Sequence, residues 1–133
     1  MSEIFANTFY FVALLSPADQ AHERARAVTS DRPIILVTSA WVLMELANSL
    51  SHRDTRSGFI EMLQALRSDP GAVIVGPDQN WYEAGLNLYI SRSDKDWSLT
   101  DCISFVVMKE RGITDALTGD HHFEQAGFQA LLK

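Results

Sequence analysis

Residues 33–50 read PIILVTSAWVLMELANSL and predict a buried strand that leads directly into an apolar helix. The run from Pro33 to Thr38 is continuous and rich in β-branched residues, which is typical of a parallel strand covered on both faces. Ser39 can then cap a helix whose apolar side chains recur at near-helical spacing. Glu45 lies inside that apolar helix. The stretch therefore predicts one strand and helix unit of an α/β domain.

The same alternation of strand and helix continues on both sides of this stretch. Further strands are predicted where short apolar runs are bounded by turn or capping residues, at 3–5, 72–75 and 116–118. Further helices are predicted where apolar side chains recur at helical spacing, at 8–15, 55–67, 79–89 and 101–110. A polar, mostly exposed helix is predicted at 18–28, because Ser16 and Pro17 can open it as N-cap and first residue. We expect Thr100 to cap the helix at 101–110. The alternation predicts a three-layer α/β/α domain with a mostly parallel central sheet.

The bulk composition indicates the size of the domain and restricts its partners. A chain of 133 residues that is 47% hydrophobic and 21% charged fits one compact domain, 1–133, with a real core. The net charge of −6 argues against a broad basic surface for nucleic acid, since phosphate contacts need Lys and Arg. Any nucleic-acid chemistry must therefore be local. The carboxylates suit a divalent cation that reverses the potential at one cleft, and a solvated acidic surface is the simpler alternative.

The sequence also predicts a soluble cytoplasmic protein without a membrane segment. Its single cysteine, Cys102, cannot form an internal disulfide and is expected to be a small buried residue. No apolar run approaches the roughly 18–20 residues needed to cross a bilayer. The N-terminal residues carry Glu3 and no basic segment, so we expect them to belong to the fold rather than to a signal peptide. Glycine-rich nucleotide-binding motifs are absent, which disfavours chemistry that depends on ATP or NAD.

Four polar positions need an explanation in a domain of this kind: Asn7, Glu45, Asp101 and Asp120. Ligand sites in such folds lie near the carboxyl ends of strands, and this rule marks Asn7 and Asp120 together. Glu45 is costly to bury unless it is paired or holds a metal, although it can also turn outward or meet an arginine. Asp101 in a first helical turn is stabilised by the helix dipole, while Asn7 and Asp120 can each act simply as helix caps. Each residue taken singly is ordinary.

Taken together, the local sequences around these positions resemble the PIN-domain nucleases, especially the VapC-type toxins of type II toxin–antitoxin systems, over nearly the whole chain. In that family a strand ends in an acid, followed by Thr or Ser and an apolar helix. The segment IFANTFYFVALL is similar to this pattern, with Asn7 in place of the acid. The segments TSAWVLMELANSL, WSLTDCISFVVMKERGI and ALTGDHHFEQAGF are similar to those that carry the family's other acids, at Glu45, Asp101 and Asp120.

The resemblance implies a PIN-like fold, a Mg²⁺ or Mn²⁺ site formed by these four residues, and endoribonuclease activity on structured RNA such as tRNA or rRNA. It also implies inhibition by a VapB-like antitoxin and, as in many members, a homodimer. Asn7 keeps a carbonyl oxygen for a metal but lacks the negative charge and cannot act as a base. We therefore expect weakened metal binding and low or absent cleavage. Two explanations stay open: a natural non-catalytic module that binds RNA or sequesters an antitoxin, or an acid replaced to keep a toxic nuclease inactive.

Hydroxyl and imidazole groups lie close to the four positions in sequence. Thr8, Thr100 and Thr118 either orient ligands through their hydroxyls or serve as caps and strand residues. His121 and His122 are adjacent, and we expect their rings to point in different directions. No cysteine or suitably spaced histidine completes a zinc set, so the sequence does not favour a zinc site.

Other features give weaker indications of binding surfaces. A basic rim for RNA phosphates, or an ordinary solvated surface, is expected from Arg53, Arg56, Arg92 and Lys95. Apolar surface for a second copy or an antitoxin helix is expected on the helices that contain Trp41, Phe59 and Trp81. A phosphoacceptor domain also clusters acids at strand ends, but neither Glu3 nor Lys109 lies where that chemistry needs an acid and a lysine.

Overall fold

A computed structural model of the protein describes residues 2–31 and 33–133. The boundaries 1–133 expected for the domain include Met1 and Arg32, which lie outside the described residues. The strands found in the described residues are β1 (Ser2–Ala6), β2 (Ile34–Ser39), β3 (Ala72–Val75), β4 (Asp115–Leu117) and β5 (Gln129–Ala130). The helices found there are α1 (Thr8–Leu15), α2 (His22–Ser30), α3 (Ala40–Ser49), α4 (Arg56–Ser68), α5 (Gln79–Ser91), α6 (Leu99–Arg111) and α7 (His121–Gln125).

The strands form one sheet in the order β3-β2-β1-β4-β5, and every pair is parallel. The α/β/α class expected from the sequence is confirmed. The first strand occupies the centre because its apolar residues are buried, with Phe5 and Ala6 fully so. From β1 the chain adds β2 and β3 on one side of the sheet and then β4 and β5 on the other, so the direction of winding reverses between β1 and β4, where Ala6 pairs with Leu117. Such a switch point opens a crevice at the carboxyl ends of the two strands.

The most buried helix is α6, and its packing brings one of its charged residues toward the interior. Its buried positions are Asp101, Cys102, Ile103, Ser104, Phe105, Val107 and Met108. The neighbouring helix α5 approaches α6 closely at Gly85, where an added Cβ would lie 2.2 Å from Cγ1 of Ile103. Burial of the apolar residues along α6 therefore fixes the position of Asp101 near its N-terminus.

Two helix starts differ from those expected. Ser16 does not open a helix, because its N–H bonds to Val12 O and ends α1, so the next helix begins only at His22. Thr100 does not cap α6, because Ser98 takes that position and exchanges hydrogen bonds with Asp101 in a capping box. None of the described helices is both long enough and apolar enough to cross a membrane.

The caps with a clear local signal agree with the sequence. Ser39 accepts a hydrogen bond from the N–H of Val42, and Asp78 accepts one from that of Trp81. Gly112 ends α6 at a φ of 68°, a left-handed conformation that a glycine adopts without steric cost.

Candidate active site

The carboxyl ends of β1 and β4 place Asn7 beside Thr118. Asn7 is buried, and its Nδ2 donates a hydrogen bond of 3.2 Å to Oγ1 of Thr118. The same hydroxyl oxygen accepts the backbone N–H of Asp120 at 3.1 Å. Asn7 stands at the N-cap position of α1 but forms no side-chain capping bond, so a cap role does not explain it. The Thr118 hydroxyl thus connects Asn7 with the backbone of Asp120.

Asp101 supplies a buried carboxylate to the same region. Its Oδ2 accepts hydrogen bonds from the backbone N–H of Ser98 at 3.4 Å and from Nδ1 of His122 at 3.2 Å. Burial raises the pKa of Asp101, the His122 hydrogen bond opposes this, and the negative charge of Asp120 raises the pKa further. A cation held beside both carboxylates would stabilise their ionised forms.

Asp120 caps α7 by accepting the N–H of His122 at 2.9 Å, as the simpler interpretation of this residue expects. The same turn brings Nδ1 of His122 to 3.5 Å from Oδ1 of Asp120. The imidazole therefore lies between the carboxylates of Asp101 and Asp120. A capping role and a place at the site are compatible for Asp120.

The expectation that the two histidine rings diverge is wrong. Their centroids are 4.4 Å apart, and Nδ1 of His121 lies 3.6 Å from Oδ1 of Asp120. The ligand atoms of Asp120, His121 and His122 all lie within 4.8 Å of one another. The sequence carried a usable signal, because a capping Asp turns its carboxylate toward the residue two positions later. His122 is the site residue that the sequence analysis missed.

Glu45 is exposed, so the argument that it is a costly buried carboxylate does not hold. The outward orientation, one of the alternatives considered for it, is the one observed. Oγ1 of Thr8 donates a hydrogen bond to a Glu45 carboxylate oxygen, in place of the arginine partner that was considered. Because Thr8 follows Asn7 directly, Glu45 lies at the rim of the same region. The structure thus connects Asn7, Asp101 and Asp120 through Thr118 and His122 and leaves Glu45 at the edge.

Comparison with known proteins assigns this chain to a family. The family model of the PIN domain matches residues 4–129. The chain belongs to the PIN-domain family. Two relatives, both named 23S rRNA-specific endonuclease VapC20 and from two strains of Mycobacterium tuberculosis, are 26% identical to it over 125 residues, or 94% of this chain and 95% of theirs.

Solved structures agree with the assignment to the PIN family. The crystal structure of Mycobacterium tuberculosis VapC20, described as a Sarcin-Ricin loop cleaving toxin, matches with a TM-score of 0.84 and 26% identity over 94% of this chain and 95% of that one. VapBC2 from Rickettsia felis, bound to a DNA fragment from its promoter, matches with a TM-score of 0.66 and 13% identity, covering 98% and 96% of the two chains. The second likeness concerns the fold alone. The resemblance of the sequence to VapC-type PIN domains is confirmed.

The donors in this PIN domain suit a divalent cation. Asp101 and Asp120 offer carboxylate oxygens, which Mg²⁺ and Mn²⁺ prefer, and Asn7 offers an amide oxygen. The negative charge of Asp120 disfavours ionisation of the buried Asp101. A cation bound between them would relieve this repulsion, so its binding is favoured. We conclude that the residues present fit a metal ion.

The basic residues considered as an RNA-binding rim are already engaged in part. Arg92 forms two hydrogen bonds to the carboxylate of Asp94, at 2.9 and 3.1 Å, and lies over the ring of Trp97. Arg56 donates to the carbonyl of Ser51 at 2.8 Å. The positive charge of Arg92 is therefore largely balanced within its own loop.

Proposed function

We propose that this PIN-domain protein is a VapC-type toxin, a divalent-metal-dependent endoribonuclease that cleaves structured RNA, and that Asn7 weakens its cleavage. The observation that carries the proposal is the chain of contacts through Thr118 and His122 that links Asn7, Asp101 and Asp120 beside the switch point of a parallel sheet. Similarity to a 23S rRNA-specific endonuclease over 94% of this chain supports the activity. Structured ribosomal RNA is therefore the first substrate to test, ahead of tRNA, and such a substrate agrees with a cytoplasmic location.

The proposed chemistry needs an activated water and stabilised charge on the phosphate and the leaving oxygen, which one or two bound Mg²⁺ or Mn²⁺ ions supply. Asp101 and Asp120 would hold the cation, with the Asn7 carbonyl oxygen as a weaker ligand and Glu45 at the rim. The net charge of −6 requires RNA to be attracted locally, and a cation at these carboxylates provides that attraction. The hydrogen bonds of Thr118 and Ser98 hold these ligands in place before any substrate arrives.

The expected effect of Asn7 follows from its missing charge. A unit charge pair at about 4 Å contributes about 1 kcal/mol in water and about 4 kcal/mol at an effective dielectric constant near 20. Loss of that attraction would lower the affinity for a metal roughly 5- to 1000-fold. The amide also cannot accept a proton from an attacking water. Both effects reduce cleavage while leaving the fold intact.

The test compares the protein as it stands with Asn7→Asp, using Asn7→Asp/Asp101→Asn as the matched inactive control. Cleavage of a ribosomal RNA hairpin and of tRNA is measured with Mg²⁺, with Mn²⁺ and with EDTA. We expect Asn7→Asp to cut the ribosomal hairpin at least about 10-fold faster than the unmodified chain, because it restores a charged metal ligand. EDTA and the second substitution should each abolish cleavage. A folded Asn7→Asp protein that cuts no RNA would contradict the proposed nuclease.

A second candidate function is a non-catalytic PIN module that binds RNA or sequesters an antitoxin. The presence of an amide at Asn7, in place of a charged ligand, is the observation that favours it. The two functions differ in what Asn7→Asp does: a binding module keeps its RNA affinity but gains no cleavage. Electrophoretic mobility shifts measured beside the cleavage assay therefore separate them.

An apolar groove beside α1 and α4 supports a VapB-like antitoxin as a partner. Its volume is about 440 Å³, and the apolar residues lining it include Phe11, Leu14, Ile34, Met62 and Leu66. An amphipathic helix can place its apolar face in such a groove. We expect Leu14→Asp to abolish copurification with a co-expressed VapB-like antitoxin, while a matched exposed change, Glu61→Gln, has no effect. Retention of the antitoxin by a folded Leu14→Asp protein would count against this site.

A homodimer is proposed on apolar residues of α3, α4 and α5, the helices that contain Trp41, Phe59 and Trp81. Trp41, Phe59 and Trp81 are half-buried and pack against the core. The exposed apolar side chains on these helices are Met44, Ile60, Tyr82, Tyr89 and Ile90. Light scattering on a size-exclusion column should give twice the chain mass, and substitution of Ile90 by Lys should lower it if this surface forms the interface.

A further inference from the structure

His122 occupies an unusual position, with its ring between two carboxylates that belong to different elements. Its Nδ1 lies 3.2 Å from Oδ2 of Asp101, at the start of α6, and 3.5 Å from Oδ1 of Asp120, which follows β4. The His122 and Asp101 side chains are only 20% and 11% exposed. The ring and the Asp101 carboxylate are therefore largely shielded from solvent.

The two separations from the His122 nitrogen match those between donors around one metal ion. Ligand atoms bound at about 2.1 Å and at right angles to each other lie about 3.0 Å apart. The observed 3.2 and 3.5 Å are close to that value. The contact with Asp101 is also a hydrogen bond, whereas 3.5 Å is too long for a strong bond between Nδ1 and Asp120. Movement of the two carboxylates toward each other around the imidazole would give all three groups one common cation.

Contacts of α7 hold the backbone that carries this ring. The backbone N–H of His122 is fixed by the Asp120 cap, and the next residue, Phe123, is fully buried against Phe105. Gln125, at the end of the helix, accepts a hydrogen bond of 3.0 Å from Nε1 of Trp97. The imidazole is therefore positioned before a metal arrives, which lowers the entropy lost on binding.

We infer that His122 is itself a ligand of the divalent ion in this chain, and that its nitrogen supplements the weaker ligand at Asn7 and shifts metal preference from Mg²⁺ toward Mn²⁺ and later transition ions. The inference rests on the metal site of the proposed function. Imidazole binds transition ions well and Mg²⁺ poorly, so an Asp–His–Asp set is more selective than carboxylates alone. His121 serves as the internal comparison, because its side chain is 65% exposed and its described partner is Asp120 rather than both acids.

The test loads the full-length protein with Mn²⁺ at one fixed pH and measures nitrogen coupling to the metal by pulsed electron paramagnetic resonance. We expect ¹⁴N coupling in the unmodified protein, its replacement by ¹⁵N coupling after labelling with [¹⁵N]histidine, and its loss in His122→Gln. His121→Gln should retain the coupling. The labelled, unmodified chain needs no substitution, so the test holds even if His122→Gln does not fold.

Affinities measured in the same samples give the second readout. We expect His122→Gln to weaken Mn²⁺ binding at least about 10-fold and Mg²⁺ binding less than about 3-fold, because the lost donor is a nitrogen. Mn²⁺ bound without histidine coupling in the unmodified protein overturns the inference and leaves the proposed carboxylate site standing. If Mn²⁺ binds neither the unmodified protein nor Asn7→Asp, both the inference and the proposed metal dependence are overturned.

Discussion

The close approach of α5 to α6 predicts opposite effects for two similar substitutions, Gly85→Ala and Gly58→Ala. Both glycines lie inside helices, where alanine is ordinarily more stable than glycine by about 0.5–1 kcal/mol. An added Cβ at Gly85 would lie 2.2 Å from Cγ1 and 2.9 Å from the backbone Cα of Ile103. An added Cβ at Gly58 would have no atom within 4 Å apart from its chain neighbours and the backbone of its own helix. Packing therefore decides the change in stability for Gly85→Ala, and helix propensity decides it for Gly58→Ala.

The magnitudes follow from these contacts. Overpacking of a core typically costs about 1–3 kcal/mol, and relief at Gly85 would require the backbone of α6 to move, since one of the clashing atoms is a Cα. After the gain in helix propensity, we expect Gly85→Ala to lower the free energy of unfolding by about 1–2 kcal/mol. Gly58→Ala should raise it by about 0.5–1 kcal/mol. The two variants should then differ by roughly 2 kcal/mol, or about 4–8 °C in Tm.

Urea denaturation followed by circular dichroism measures both values on the same day and in the same buffer. Displacement of α6 would also move Asp101, two residues before Ile103, so Gly85→Ala should weaken Mn²⁺ binding while Gly58→Ala leaves it unchanged. Equal stability of the two variants would refute the argument, because the packing of Gly85 against α6 would then have no energetic effect.

Three further predictions concern charge and burial at the site. Asn7→Asp adds a buried charge and should destabilise the protein in EDTA by about 1–3 kcal/mol. Mg²⁺ at about 100 times its Kd should restore about 2.7 kcal/mol of this stability. Equal melting temperatures of Asn7→Asp with and without metal would contradict this prediction. Burial raises the pKa of Cys102 from its usual value of 9.0 to about 11, so at pH 8 iodoacetamide should label it roughly 100-fold more slowly than an exposed thiol, and faster labelling of the folded protein would show that the thiol is accessible. Because burial raises the pKa of Asp101 above its usual value of 3.8, the folded state binds its proton more tightly. The contribution of Asp101 to stability is therefore complete below the usual value and is lost as pH rises through the folded pKa. In EDTA, Asp101→Asn should therefore gain stability relative to the unmodified protein as pH rises from 4 to 7, and a constant difference would show that Asp101 does not titrate in this way.

The sequence predicted best those elements whose signals are local. The strand β2 and the helix α3 follow from one uninterrupted apolar run and one cap at Ser39, and the structure agrees closely with both. The start of α6 was harder because two residues compete for the cap. Ser98 wins over Thr100 because Asp101 lies three residues later and returns the hydrogen bond, a reciprocal arrangement that Thr100 does not have.

The site shows where sequence patterns stop being informative. The switch-point rule linked Asn7 with Asp120, and the two are indeed connected through Thr118, which lies 111 positions from Asn7. The sequence left open whether Glu45 is buried or turned outward, because helical periodicity does not resolve which edge of an apolar face meets solvent. The place of His122 depends on how α7 packs through Phe123 and Gln125, and those contacts are tertiary.

The partner of Asn7 explains how the site can hold either an amide or a carboxylate at this position. A threonine hydroxyl can both accept and donate, so Thr118 accepts from Nδ2 of Asn7 and would donate its own hydrogen to a carboxylate at that position. The backbone N–H of Asp120 can bond to the same oxygen in either case. Geometry and charge are thus separable here: an amide and a carboxylate fit the same crevice, and only the carboxylate adds about one unit of negative charge to it. Addition of that charge by Asn7→Asp is for this reason a clean test of chemistry, because no rearrangement of the fold has to accompany it.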